Sequence, residues 1–303
     1  MNSRIGSVVE KYMLTAENCR DMPLILPGLT QHTNIWIRRY DQIDSYISGN
    51  KIFKLSGWLQ HFNQHDRLIS FGGAYSNHLL ALAALAHEAG IPALGVIRGE
   101  YPEGGNPYLD YISSKGLQCV HVSRSQYREK NEIDYLQNLK KEYKNALIIP
   151  EGGAGLPGAA GASKMIRETD KEFDWAVIPG ATGTTCYGIW QAIKHFPETK
   201  LLCFQVLKGE KIIINEVLKS CNIDLSSVKK IHINPSYHFG GYAKKAQELI
   251  DFRSELENLN DIKIDLIYGA KALFGLRDLI ASGFITPSEK ILYLHTGGTF
   301  EHF

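Results

Sequence analysis

The chain reads as an α/β protein of two units, each with a twisted, mostly parallel sheet flanked by helices, with a cleft between them. Three observations predict this. Short β-rich runs at residues 67–71, 92–98, 117–122 and 147–150 alternate with helical patterns. A second series runs through 174–179, 201–206, 230–233 and 290–294. A glycine-rich stretch, 151–158, separates the two series and reads as a crossover between units rather than a mobile surface loop. There is no low-complexity tract, Pro-rich linker or repeat of solenoid length, so a pair of α/β units is the simplest organisation.

Composition supports a packed enzyme-sized core. The 303 residues are 44% apolar and 21% charged, which is ordinary for a globular chain and unlike a disordered or fibrous one. Lysine and arginine number 33 against 32 acidic residues. A net charge of +1 offers no field for gathering nucleic acid or an anionic membrane, so the expected partner is a small molecule. The opening Met1-Asn2-Ser3-Arg4-Ile5-Gly6-Ser7 lacks the apolar core of a signal peptide. The longest apolar stretch, around Leu79 to Ala86, is too short to span a bilayer, which places the expected location in the cytoplasm. Five cysteines, Cys19, Cys119, Cys186, Cys203 and Cys221, are widely spread with no Cys-x-x-Cys pair, so neither a disulfide framework nor a metal site is indicated. Cys186 reads as a small core residue at a helix start, without a catalytic role.

The first element that carries chemistry is Ser48-Gly49-Asn50-Lys51-Ile52-Phe53-Lys54-Leu55, where a loop gives way to a helical pattern. Lys51 and Lys54, three apart, share a helix face, so one amine can react while the other holds an anion. A lysine that forms a Schiff base must be partly desolvated, and a loop tucked into a cleft supplies that environment. Next, Ser70-Phe71-Gly72-Gly73-Ala74-Tyr75-Ser76-Asn77-His78 ends a strand. Ser76 and Asn77 read as the N-cap of the following helix; the same geometry lets Asn77 meet a cofactor phenolate and Ser76 receive a substrate carboxylate. Both readings hold together.

Gly180-Ala181-Thr182-Gly183-Thr184-Thr185 follows an apolar strand and precedes a helical run, so its N–H groups point at a bound anion with a helix dipole behind them. Taken alone, a plain strand-to-helix turn fits as well. The segment lacks the Gly-Lys-Ser/Thr ending of a Walker loop and the third glycine of a dinucleotide fingerprint, which disfavours a nucleotide-binding protein. Lysine, Ser-Asn turn and Gly/Thr loop together point to pyridoxal phosphate.

In this order the residues resemble the fold-type II pyridoxal-phosphate enzymes, with their tryptophan synthase β-like fold, and within them D-cysteine desulfhydrase and 1-aminocyclopropane-1-carboxylate (ACC) deaminase. The likeness spans nearly the whole chain: Gly49-Asn50-Lys51 with Lys54, Gly73-Ala74-Tyr75-Ser76-Asn77-His78, Pro150-Glu151-Gly152-Gly153, Thr182-Gly183-Thr184-Thr185, Tyr268-Gly269-Ala270-Lys271-Ala272 and His295-Thr296-Gly297-Gly298. The resemblance implies that Lys51 binds the cofactor covalently, Asn77 contacts the pyridine oxygen, and Lys54 with Ala181, Thr182, Gly183, Thr184 and Thr185 holds the phosphate. It further implies that Ser76 binds or deprotonates substrate, that Tyr242 and Tyr268 face the reacting carbon, and that the protein is a homodimer. The expected division is a larger cofactor-binding domain, 1–54 plus 151–303, and a smaller one, 55–150.

Departures from the family separate its members. Where ACC deaminases resemble one another in carrying a glutamate after the tyrosine, this chain has Gly269, leaving the hydroxyl of Thr296 as the partner for the pyridine nitrogen. That makes a weaker electron sink, which suffices for expelling a thiol but not for opening a cyclopropane. His78 likewise resembles the desulfhydrase side. The expected reaction is therefore β-elimination from D-cysteine or a related D-amino acid, with ACC deamination and cofactor binding without turnover as the alternatives. Tyr237-His238-Phe239-Gly240-Gly241-Tyr242 replaces a Gly-Pro-containing segment, and Thr299-Phe300-Glu301-His302-Phe303 directly follows the glycine pair without a segment that could finish the pocket. Both features leave the leaving group open.

Overall fold

The computed structural model describes residues 3–29, 34–101 and 105–298; Met1, Asn2 and the terminal segment from Thr299 to Phe303, read above, lie outside the described residues. Among the described residues ten strands form two sheets. The first contains β1 (Asp21–Pro23), β2 (Ile35–Arg38), β7 (Trp175–Gly180), β8 (Lys200–Gln205), β9 (Ile231–Asn234) and β10 (Ile291–Leu294), in the order β1-β2-β10-β7-β8-β9. The second contains β3 (Arg67–Gly72), β4 (Ala93–Arg98), β5 (Leu117–Val122) and β6 (Ala146–Ile149), in the order β5-β4-β3-β6. All pairings are parallel except β1 with β2.

The eight strands expected from the sequence all occur, with ends displaced by at most one residue. β1 and β2 are not foreseen. Their three and four residues are too few to show a period, and β2 is recruited by pairing Ile35 to Arg38 against Ile291 to Leu294, a long-range contact. The central strands are apolar nearly throughout because both faces are covered: every residue of β7 is buried.

Side chains pack in three clusters. One lies outside each sheet, around Val177, Phe204 and Leu273 on the first and Ile69, Phe71 and Val96 on the second. The third joins the inner faces, running from Leu55 and Leu82 to Ile178, Ile189 and Val217. We propose that the domains follow sheet membership, 55–150 against 1–54 plus 151–303. The helix Ser3–Glu17 nevertheless packs on the second sheet's helix Asn77–Ala89, where Lys11 and Tyr12 both donate to the Glu88 carboxylate at 2.7 Å.

The glycine-rich stretch is the crossover between sheets, and part of it is the short helix Leu156–Ala162. This crossover helix lies against the helix Asn50–Leu59 with backbones touching: a Cβ on Gly57 would stand 1.9 Å from the Pro157 oxygen, and one on Gly161 1.9 Å from the Phe53 oxygen. Glycine within a helix costs about 1 kcal/mol against alanine. The close approach offsets that cost, and it sets the distance from Lys51 and Lys54 to the helix Thr184–Ile193, which packs on the crossover helix's other side. Gly161→Ala should lower stability by about 1–3 kcal/mol through overpacking. Urea unfolding of the cofactor-free protein checks this; an unchanged midpoint would contradict the contact.

Candidate active site

Three strand ends meet at one cavity of about 110 Å³. β3 leads into Asn77, β7 into Gly180, Ala181, Thr182 and Gly183, and β10 into Thr296 and Gly297; with Asn50, Lys51, Lys54, Thr185 and Tyr268 these residues line it. The carboxyl ends of parallel strands are where such folds bind ligands, since loops there converge from separate elements.

Lys51 lies in the first turn of the helix Asn50–Leu59. Its amine donates to Asn50 Oδ1, and Asn50 Nδ2 donates in turn to Thr185 Oγ1 at 2.9 Å. Asn50, given no role by sequence reasoning, therefore couples Lys51 to the Gly/Thr loop. Burial lowers the Lys51 amine to about 8, against a smaller opposing pull from the Asp265 carboxylate. Lys54, buried one turn on, falls well below its ordinary value, first through burial and then through repulsion from Lys51. Neither lysine has an ion pair among the described residues.

The anion side of the cavity is backbone. Gly183 caps the helix Thr184–Ile193 at φ 75°, a left-handed conformation that aims the following N–H groups inward, and a Cβ there would stand 2.5 Å from Val217. The leading N–H groups of a helix have no acceptor within it and carry its positive dipole end. Thr185 faces the cavity, whereas Thr184 does not line it: its side chain is fully buried and its hydroxyl has no partner among the described residues. The expectation that Thr184 grips the phosphate is thus confined to its backbone N–H. Cys186, in the cavity lining, is buried, and the Cys203 thiol, hydrogen-bonded to it and itself buried, is raised well above the ordinary thiol range.

Ser76 caps the helix Asn77–Ala89, its hydroxyl accepting from Leu79 N at 3.3 Å, so it stands at the cavity's edge rather than in its lining. His78 is buried. Ser70 donates its hydroxyl hydrogen to Ile149 O at 2.8 Å, so the 2.8 Å contact to His78 Nε2 requires the histidine to donate. Its Nδ1 is then a bare acceptor without a partner among the described residues, and burial with the neighbouring Lys54 and Lys51 holds the ring well below its ordinary value. Thr296 and Gly297 are held by His295, whose Nδ1 accepts from Gly297 N at 3.1 Å and whose Nε2 donates to Lys263 O at 2.9 Å.

Tyr268 starts the helix Gly269–Ala281 and lines the cavity; Tyr242 meets it edge-to-face, ring centroids 6.0 Å apart at 71°, and is 49% exposed. Burial, then Tyr242 and Asp265, raise the Tyr268 phenol well above its usual range, so it remains protonated. Asp265 was missed in the sequence. It accepts from Ile267 N at 2.9 Å, Tyr268 N at 2.6 Å and Gly269 N at 2.9 Å, and its Oδ2 lies 3.0 Å from where a Cβ on Gly269 would stand. A carboxylate thus lies beneath residue 269 even though residue 269 supplies none. Its signal was present in the sequence: an aspartate three residues before a helix-starting tyrosine is an Asx-type cap.

These residues fit pyridoxal phosphate. Two lysine amines without an ion pair among the described residues, facing the leading N–H groups of the helix Thr184–Ile193, form a site that favours a dianionic phosphate beside an aldehyde. Residues 18–297 match the family model described as pyridoxal-phosphate dependent enzyme. The chain belongs to this family. A relative from Pyrococcus horikoshii, named provisionally as an ACC deaminase, is 28% identical over 288 residues, covering 90% of this chain and 87% of that one. The Arabidopsis thaliana mitochondrial protein named bifunctional D-cysteine desulfhydrase/ACC deaminase is 26% identical, covering 90% and 74%. A crystal structure of an ACC deaminase homologue superposes with TM-score 0.73 at 26% identity, over 97% of this chain and 96% of that one. In this pyridoxal-phosphate dependent enzyme the fold is therefore type II, as the two parallel sheets indicate.

Proposed function

We propose that the enzyme catalyses β-elimination from D-cysteine or a related D-amino acid, taking up water and releasing sulfide, ammonia and pyruvate. The observation that supports this most directly is the cavity floor. Residue 269 has no side chain, and the Asp265 carboxylate is engaged by three backbone N–H groups, which favours the Thr296 hydroxyl in the cavity lining as the group for the pyridine nitrogen.

Pyridoxal phosphate, when bound, supplies an aldehyde for the substrate amine and a ring that withdraws electrons from the α-carbon. The chain's own residues do the rest. Lys54 and the N–H groups of the Gly/Thr loop hold the phosphate. Asn77 binds the ring oxygen. Ser76, at a helix N-terminus, orients the substrate carboxylate. The Lys51 amine, about half neutral near pH 8, takes the α-proton. Tyr268, held protonated, gives its proton to the departing sulfur, with Tyr242 beside it.

Assays with D-cysteine, L-cysteine and ACC, each supplied separately to the cofactor-loaded protein, test the reading. Sulfide and pyruvate from D-cysteine are expected; 2-oxobutyrate from ACC at a comparable rate would overturn the inference from Gly269. The names of the relatives keep ACC deamination as the second reading. A homodimer and a cytoplasmic location belong to the same proposal; no helix among the described residues is long and apolar enough to cross a membrane.

A further inference from the structure

The loop that presents Tyr242 is built from backbone conformations that side chains disfavour. Phe239 has φ 50° and Ala243 φ 57°, and between them Gly240 and Gly241 stand at 89° and 119°. Non-glycine residues in this region are strained, so they persist only where the surroundings hold them.

What holds this loop is one face of the helix Gly269–Ala281, the helix that Tyr268 begins. The Tyr237 ring lies 2.7 Å from where a Cβ on Gly275 would stand, and Phe239 meets Phe274 edge-to-face with centroids 5.1 Å apart. One turn nearer the cavity, Lys271 is fully buried, and its ammonium donates to His238 O at 2.9 Å and Gly241 O at 2.7 Å. No salt bridge joins Lys271 to an acid among the described residues, and its acceptors are both carbonyls of this loop. A buried ammonium is costly, and stability alone would favour an apolar side chain of similar length. Residues 268, 271, 274 and 275 are spaced to share a face.

We propose that Lys271 is a positioning residue for Tyr242: its two hydrogen bonds clamp the strained 238–241 loop so that Tyr242 stands edge-on to Tyr268 beside the Lys51 cavity. The proposal rests on the reading in which both tyrosines serve the reaction. Lys271 itself does not line the cavity.

Two readouts test it in Lys271→Met and in Lys271→Gln, which retains one donor group. In the cofactor-free protein, amide hydrogen exchange of residues 237–245 should accelerate in Lys271→Met, less in Lys271→Gln, while the helix Asn50–Leu59 keeps its protection. In the cofactor-loaded protein, Lys271→Met should keep its visible absorbance but lose about 100-fold in kcat, the scale of a misplaced catalytic group. Combined with Tyr242→Phe, it should cost no more than the larger single change. Unchanged loop exchange, or losses that multiply in the double variant, would overturn the clamp. Should the parent act on none of the amino acids offered, the proposed function fails, and the exchange experiment still decides whether Lys271 holds the loop. Should Lys271→Met not fold, Lys271→Gln carries both tests alone.

Discussion

Lys51→Ala should abolish covalent retention of pyridoxal phosphate and lower turnover by at least about four orders of magnitude, the scale seen when one member of a coupled catalytic set is removed. Borohydride treatment followed by peptide mapping checks the first half: the cofactor should be fixed to the peptide bearing Lys51 in the parent and to no peptide in the variant. Labelling at Lys54 instead would reverse the roles of the two amines. The same residue sets a pH dependence. Burial lowers the Lys51 amine to about 8, so its charged form is the one disfavoured in the folded protein, and the neutral, nucleophilic form dominates above that value. Cofactor addition to the cofactor-free protein should therefore slow about tenfold per unit below pH 8 and level off above it. Continued acceleration toward the range of an ordinary lysine would mean that the cavity does not desolvate the amine.

Tyr268→Phe should lower kcat by about 1,000-fold while cofactor occupancy is unchanged, within the range for losing a positioned acid or base. Its phenol is buried, kept protonated and placed in the cavity lining, so it is suited to give a proton and poorly suited to take one. The leaving group discriminates the role further. A substrate whose leaving group needs no proton should recover much of the loss, whereas a thiol should not. Equal losses with both would assign Tyr268 to binding or orientation.

Much of the site was legible because its parts are local. Lys51 and Lys54 share a helix face by spacing, Ser76 caps a helix by residue type, and the Gly/Thr loop announces an anion cradle through a strand-to-helix turn. The eight longer strands carry their own apolar runs. By contrast, β1 and β2 are too short to announce themselves, and β2 is a strand because β10 pairs with it. Thr184 sits within the motif yet turns away, since a helix sends successive side chains about 100° apart and only Thr185 meets the cavity. Asn50 acts through Thr185, 135 residues along the chain, a relation that no local spacing displays, whereas Asp265 caps its own following turn and was legible but overlooked.

By itself the sequence determined the class of fold and the cofactor and singled out Lys51 as the candidate for the reactive lysine, because each depends on local periodicity or on residue types at short spacing. Tertiary structure alone decided how these parts meet. The Gly57–Gly161 contact sets the lysine helix beside the cradle, burial lowers one amine to about 8 and the other well below its ordinary value, and a buried lysine ties a strained loop to the helix that Tyr268 begins. Desolvation and long-range packing are properties of the assembled interior, and they arise only once residues distant in the chain exclude water from one another.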